Sequence, residues 1–573
     1  MADTEGGVVA LGGANDPLTP GRLSTLERGL RLFAEVRPGE GVTALVMFAN
    51  VFLILCAYYF VKPLRDGWIA VSAIAGLSSM EVKAYTSFAQ SLTLIGAVAL
   101  YARLVTRWPR RELITRTTLF CMSNLLVFWL LRYTHVAGVG VVFYIWVGMF
   151  GLFVVAQFWA FAADLYTEER GHRLMPMIAI GATAGAVVGS FLTESIVRSG
   201  MCDSGTLLLA AILPLSVSIV LTVVADTRGP TGEPPHPPEQ RPAAVTPPTA
   251  DRHVGALELV FRHRYLVAVA GVALLTNWVS TNGDNLLFRV VQEALRHEVA
   301  GRSGMDAKAM TVFLREGTTA FYGSFFFWVN VCALFLQAFV ASRLLKLGGI
   351  GLVLLMLPVI ALVGYSAMAF LPFLLVVRVM KTAENSTSYS INNTARQVLW
   401  LPTTTEMKYK AKPAIETLCV RLGDGLAAIT VLFGMRFLAL STRSFFLFNV
   451  VLGVLWLSIA RMVVRDYGDI SGLGDATSDL MRTDRAPELP PHSGSIEGNQ
   501  EAAHELSEAH AVGDIWKGVE GIQVVRLEQL PCRRVHVGHL DHLQIRRHGL
   551  RMLLQVGLDV SDPTVLQRIE PRL

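Results

Sequence analysis

Charged side chains interrupt the apolar runs of this chain at several places, and each is costly where it stands. In AYYFVKPLRDGWIA, Lys62, Arg65 and Asp66 close an otherwise apolar stretch. A charge at the centre of a membrane helix costs about 2.5–3.5 kcal/mol on insertion scales, so a charge retained there is a candidate for function. Lys62 and Arg65 are three apart and share a helix face, while Lys62 and Asp66 are four apart and can pair. One reading makes them a basic patch that meets an anionic solute at a cavity mouth. The plainer reading has the bases reach the headgroups beside an ion pair. Pro63 is expected to break or kink the helix at this point.

Further along, Asp164 stands near the end of FWAFAADLYTEER. Asp284 lies in a polar stretch with Trp278, Asn282, Asn285 and Arg289, which either lines a cavity or reaches water at a helix end. The segment MKTAENSTSYSINNTARQVLWLP carries Lys381, Glu384, Asn385, Asn392, Asn393 and Arg396. So polar a helix at membrane depth must face protein or water, and Lys381 with Glu384 are spaced to pair. Arg421 and Asp424 are likewise three apart, with Glu416 nearby. They either line the cavity or tie two helices together. The working set is therefore Lys62, Arg65, Lys381, Arg396 and Arg421 as positive charge around a midplane cavity. Asp164, Asp284 and Asp424 hold those bases or carry coupling protons, with Asp66, Asn385 and Asn393 beside them. Gly181, Gly185 and Gly189 recur every fourth residue, a pattern for close helix packing rather than for a substrate.

Other chemistries find little support. The chain has no GxxxxGK[ST] phosphate loop, no HExxH and no GxSxG, so it is not read as an enzyme or an ATP-driven pump. Energy is expected from exchange or from an ion gradient. The six cysteines show neither a CxxC pair nor zinc spacing. His536, His539 and His542 match no standard zinc signature, so no metal and no cofactor is expected. The net charge of +5 is read as loop lysine and arginine of a membrane protein, not as a nucleic-acid surface.

These residues need elements to hold them. Mean hydropathy is +0.47 and only 17% of residues are charged, against about 25% in soluble domains. A bilayer core of about 30 Å takes roughly 20 apolar residues as helix, and lipid forces such runs to be helical. Spans are expected near 43–61, 86–105, 112–131, 139–161, 174–197 and 205–224, then near 265–283, 321–342, 349–368, 371–392, 416–435 and 443–464. The fold class is thus all-α: a polytopic membrane protein of about twelve helices in two six-helix halves, 43–225 and 253–464, as in the major facilitator architecture. A proline-rich stretch, 226–252, reads as a cytoplasmic linker, 1–42 as a cytoplasmic N-terminal segment without a cleavable signal, and 465–573 as a polar, disordered tail.

Arg103, Arg107, Arg110, Arg111 and Arg116, then Arg343 and Lys346, then Lys408, Lys410 and Lys412 fall in loops that are cytoplasmic if the N-terminus is inside. The expected location is the cell (inner) membrane, multi-pass, with both termini cytoplasmic. The stretch 286–320 fits poorly: read as an external loop, it holds Arg289, Arg296, Arg302, Lys308 and Arg315. Expected partners are a small anionic solute and the lipid bilayer, with the chain a monomer and no nucleic acid bound.

Three segments carry a resemblance: AYYFVKPLRDGWIA, FWAFAADLYTEERGHRLMPMIAIGATAGAVVG and ENSTSYSINNTARQVLWLPTTTEMKYKAKPAIETLCVRLGDG. They resemble the ATP/ADP translocase (Tlc-type) nucleotide exchangers and their bacterial major-facilitator relatives, over roughly 43–464. The resemblance implies twelve spans and antiport of nucleoside phosphates such as ATP and ADP. It places the family's basic residue on Arg65, followed by Asp66, and family acids on Asp164 and, with a one-residue shift, on Asp284; Phe288 and Arg289 take the place of an aromatic–basic pair. One departure stands out. Asp424 occupies the place of a lysine in the exchangers' LGK segment, which inverts the local attraction for phosphate. The competing expectations are proton-coupled transport of another small solute, and a membrane sensor or scaffold that moves nothing.

Overall fold

The computed structural model describes residues 35–227 and 255–483, apart from 73, 75, 106, 135–137 and 303, together with Arg28 and Arg31. The proline-rich stretch 228–254, nearly all of the N-terminal segment and everything past 483, including the three histidines, lie outside the described residues.

Six long helices form each half. The first half has α1 (Gly41–Ala70), α2 (Ser79–Val105), α3 (Arg110–Leu131), α4 (Val139–Leu165), α5 (Glu168–Ser199) and α6 (Thr206–Thr227). A short helix, Ala256–Arg262, then leads into α7 (Arg264–Ala300), α8 (Ala307–Phe335) and α9 (Ala341–Phe370). The tenth, α10, runs without a break through Leu374–Thr387, a π turn at Ser388–Asn392 and Asn393–Val398. Then come α11 (Met407–Phe437) and α12 (Thr442–Thr483). Nine stretches of the described residues are long and apolar enough to cross a bilayer, one of them being α8 and α9 run together. Neither α2 nor α10 is among them.

Every expected span has its helix, but several helices outrun the apolar block that announced them. The stretch 286–320 is the clearest correction. It is not an external loop; α7 continues to Ala300 and α8 begins at Ala307, capped by the Asp306 carboxylate accepting from the Ala309 N–H at 2.7 Å. The 37 residues of α7 make a rod of about 55 Å, far longer than a bilayer core. Four basic residues of 286–320 find partners within the protein, Arg296 donating to Ser79 at 2.7 Å. Arg289 pairs with Glu293 at 2.8 Å and Arg302 with Glu298 at 2.7 Å, each one turn away, and Arg315 reaches Asp203. At the other extreme, α12 stays helical to Thr483, past the boundary at 465.

Pro63 does not break α1, which continues to Ala70. Proline removes the N–H that would have bonded the carbonyl four residues back, that of Tyr59. Thr193 of α5 donates its hydroxyl to that carbonyl at 3.0 Å. The orphan is satisfied by another helix. The same two helices interlock through small residues, as the spacing implied. A Cβ on Gly181 would stand 2.8 Å from the Phe48 carbonyl, one on Gly189 2.6 Å from that of Cys56, and one on Gly185 would collide with that of Phe52. Glycines on α5 thus seat on a matching row of backbone carbonyls on α1.

Call the end of the bundle that holds Gly41, Thr227 and Arg264 the linker end. Side-chain bridges between the halves lie at mid-height or at the far end. Arg296 donates to Ser79 at 2.7 Å, Arg436 pairs with Glu81 at 2.9 Å, and the Ser204 hydroxyl donates to Glu316 at 2.8 Å. Arg315 and Arg132 share Asp203. At the linker end the ion pairs Arg37 with Glu169, Arg173 with Glu40, Arg111 with Asp226, Arg264 with Asp466 and Arg396 with Glu416 each stay within one half.

Candidate functional site

Three helices of the first half bring the first charges together. Asp66 is buried on α1 and takes Lys83 of α2 at 2.8 Å and Arg65 at 3.5 Å. Arg65 lays its guanidinium over the Tyr144 ring of α4, 4.5 Å from the centroid. Lys83 donates to the Tyr322 hydroxyl of α8 at 3.2 Å and sits over the Phe288 ring of α7 at 4.5 Å. Lys83 is a residue that the sequence reading missed. The expected span began at 86, which left this lysine in a loop, whereas α2 starts at Ser79.

Lys62 does something else. The pairing with Asp66 that its spacing allowed does not form; no carboxylate lies within ion-pair distance of Lys62 among the described residues. Its ammonium sits 4.1 Å from the centroid of Phe326, 5.0 Å from Tyr59, and 5.7 Å from both Tyr58 and Tyr389. The residue is 8% exposed. Cation–π contact with a desolvated ammonium is worth about 2 kcal/mol or somewhat more, whereas desolvating the ion costs several kcal/mol. The rings do not cover that cost. Lys62 is a buried cation short of a partner.

The second half is built the other way round. Lys381 of α10 is 0% exposed and meets two carboxylates, Asp284 of α7 at 3.1 Å and Glu384 one turn on at 3.0 Å. Tyr365 of α9 donates to Glu384 at 2.8 Å. Gly283 makes this approach possible. A Cβ there would stand 2.8 Å from the Lys381 ammonium and would collide with the Tyr365 hydroxyl. Glu384 is buried, but Asp284 leaves 49% of its side chain open, in the middle of a helix that packs against α2, α8, α10, α11 and α12. Tyr389, on the π turn of α10, is 43% exposed. Asp284 lies within Coulombic reach of Lys62, Lys83 and Tyr389. These open surfaces mark an internal space between α1, α7 and α10.

Asp424 of α11 ties three helices. It accepts from Ser91 of α2, from Thr281 of α7 at 2.8 Å, and stands 3.5 Å from Arg421. Arg421 also donates to Ser91 at 3.3 Å. The pair read from its spacing is real, and its extra partners make it a joint between the halves.

Of the expected site residues, Lys62, Arg65, Asp66, Asp284, Lys381, Arg421 and Asp424 converge at mid-height. Four do not. Asp164 is exposed at the end of α4 and Asn393 is exposed on α10. Asn385 is buried but makes no side-chain hydrogen bond with the cluster among the described residues. Arg396 faces Glu416 at 3.9 Å, nearer the linker end. Besides Lys83, the aromatic residues Tyr58, Tyr59, Tyr144, Tyr322, Phe326 and Tyr389 escaped the sequence reading, because rings in an apolar run look like core until a cation is seen among them. Among the described residues no cluster of His, Cys, Asp and Glu could hold a metal ion.

Outside the spans, Glu40 anchors the linker end of α1. Arg173 of α5 donates to both its oxygens at 3.0 Å, and the Arg37 N–H donates at 3.0 Å. Partial burial disfavours the ionised carboxyl, yet these donors together with Arg170 outweigh it, and its pKa lies below the usual carboxylate value.

No protein-family model matches the chain. No curated protein matches it either. Solved structures do. A nucleoside transporter, NupG in a mutant form, aligns with TM-score 0.53 at 10% identity, covering 74% of this chain and 99% of its own. A peptide transporter, POT in complex with sulfate, aligns with TM-score 0.50 at 11% identity, covering 78% and 99%. At such identities the likeness is one of fold. The chain is an all-helical, multi-pass membrane protein with a major-facilitator-like fold.

Proposed function

We propose that this protein is a secondary carrier that moves a small anionic solute by alternating access. Lys62 carries the reading: a buried cation, ringed by aromatics, beside an internal space and without a carboxylate of its own among the described residues. An incoming anion supplies the missing partner. Arg65 and Lys83 stand next to it, already shared with Asp66, and raise the local positive potential. The bridges Arg296 with Ser79, Arg436 with Glu81 and Ser204 with Glu316 tie the halves at the far end, which suits a site that opens toward the linker end. The loop arginines and lysines support a cytoplasmic position for that end. Rocking the halves about the central joints would exchange the open end for the closed one.

Nucleotide exchange, ATP against ADP, is the finer version of this reading. The resemblance of the first-span, fourth-span and eleventh-span motifs supports it, and Asp424 in the place of a lysine weighs against it. Counterflow in proteoliposomes separates the two: preloaded unlabelled ADP drives accumulation of labelled ATP only in an exchanger. Proton coupling has its own support in Asp424, whose carboxylate is shared by Ser91, Thr281 and Arg421 across both halves.

The test of the anion site is Lys62→Met. The variant is expected to reach the membrane at the parent's level and to lose anion-induced thermal stabilisation. Arg65→Ala is expected to weaken the same response. Undiminished stabilisation by anions in Lys62→Met would remove the site.

A further inference from the structure

Charge is divided unevenly between the two walls of the internal space. The first half offers Lys62, Arg65 and Lys83 against one carboxylate, Asp66. The second offers Lys381 and Arg421 against three, Asp284, Glu384 and Asp424. The ion pairs leave a remainder on each wall. On the first wall it is Lys62, together with the one positive charge by which Arg65 and Lys83 exceed the Asp66 carboxylate they share. On the second it is Asp284, because Lys381 already holds the buried Glu384 at 3.0 Å and Asp424 has Arg421 with two hydroxyl donors.

Asp284 presents its open side to the space, and Lys381 is its only ion pair among the described residues. It lies within Coulombic reach of Lys62, yet the two stand beyond ion-pair distance. A left-over cation therefore faces a left-over carboxylate across a gap. A solute bearing negative charge alone satisfies Lys62 and is repelled by Asp284. One that also bears an amine satisfies both.

We propose that the solute is a small amphoteric acid, its carboxylate or phosphate on Lys62 and its protonated amine on Asp284. The inference rests on the reading of Lys62 as an anion site and narrows it. Nucleotides, polyanionic and without an aliphatic amine, fall outside the class.

Matched probes test it on the purified full chain by thermal shift. The pairs are propionate with β-alanine, succinate with aspartate, and ethyl phosphate with phosphoethanolamine, with ATP as the polyanion. A charge-assisted hydrogen bond gained at Asp284 is expected to make the amine-bearing member of at least one pair about tenfold tighter, which is about 1.4 kcal/mol. Asp284→Asn is expected to erase that preference, the amine-bearing members losing their partner and the plain acids binding as tightly or more tightly once the repulsion is gone. Lys62→Met is expected to lose both members.

Equal or tighter binding of the plain acids or of ATP by the parent protein overturns the amphoteric class while leaving an anion carrier standing. So does a preference that survives Asp284→Asn, or an absence of stabilisation by every amine-bearing probe. Binding untouched by Lys62→Met overturns this proposal and the anion site together. The ranking by the parent protein decides the class even where a variant fails to fold.

Discussion

Lys62 and Lys381 are the same residue type, both buried at mid-height, one in each half, and they are in opposite circumstances. Lys381 is held by two carboxylates, a tyrosine-oriented network and a glycine that clears its path. Lys62 has four rings and, among the described residues, no carboxylate. A buried lysine that is over-satisfied belongs to the scaffold, while one left short belongs to whatever enters. Spacing alone did not separate them, since each has an acid three or four residues on.

The contrast is broken or sharpened by substitution. Lys381→Met strands Glu384 and Asp284 without a cation. The expected cost is about 3–5 kcal/mol, read as a large drop in melting temperature in detergent or as loss of folded protein. Asp66→Asn, the first-half counterpart, removes the carboxylate shared by Arg65 and Lys83. A loss of about 2–4 kcal/mol is expected in the same assay, smaller because Lys83 retains the Tyr322 hydroxyl and two rings. Gly283→Ala pushes a methyl at Tyr365 and Lys381 and is expected to cost about 1–3 kcal/mol. Asp284→Asn leaves Lys381 its pair with Glu384, and a change under about 1 kcal/mol is expected. A large loss there would place Asp284 with the scaffold and erase the difference between the walls.

The smallest effect lies at the linker end. Because the folded pKa of Glu40 is depressed, its contribution is present above the unfolded value, about 4.3, and fades as pH falls through the folded one. Glu40→Gln is expected to lower stability at neutral pH by about 1 kcal/mol or less and to match the parent at acid pH where that contribution is already lost, so that the acid limb of a melting-temperature profile is flattened.

Much of the scaffold was readable because lipid admits one kind of element. Twelve apolar blocks became twelve helices, and the glycines of α5 found the backbone carbonyls that their spacing required. The errors share one cause, which is that apolar length measures the bilayer and not the helix. Drawing the second span from 86 hid Lys83, and reading 286–320 as a loop made its arginines look misplaced. The pairs Arg289 with Glu293 and Glu298 with Arg302, four apart, were the visible sign of helix there. Other features were beyond a single sequence. How the carbonyl freed by Pro63 is satisfied depends on a threonine on another helix, and whether Asp66 takes Lys62 or Lys83 depends on which is brought to it. Seven of the proposed site residues met because they share the midplane. Asp164, Asn393 and Arg396 did not, since chemistry suited to a cavity also occurs at helix ends.

The most direct measurement compares thermal unfolding of Lys62→Met with the parent protein, with and without a stabilising anion. The account predicts that the variant unfolds at the parent's temperature or above, because no carboxylate is stranded, and that the anion no longer raises it. A variant that unfolds well below the parent and still responds to the anion would contradict it, for Lys62 would then be part of the frame.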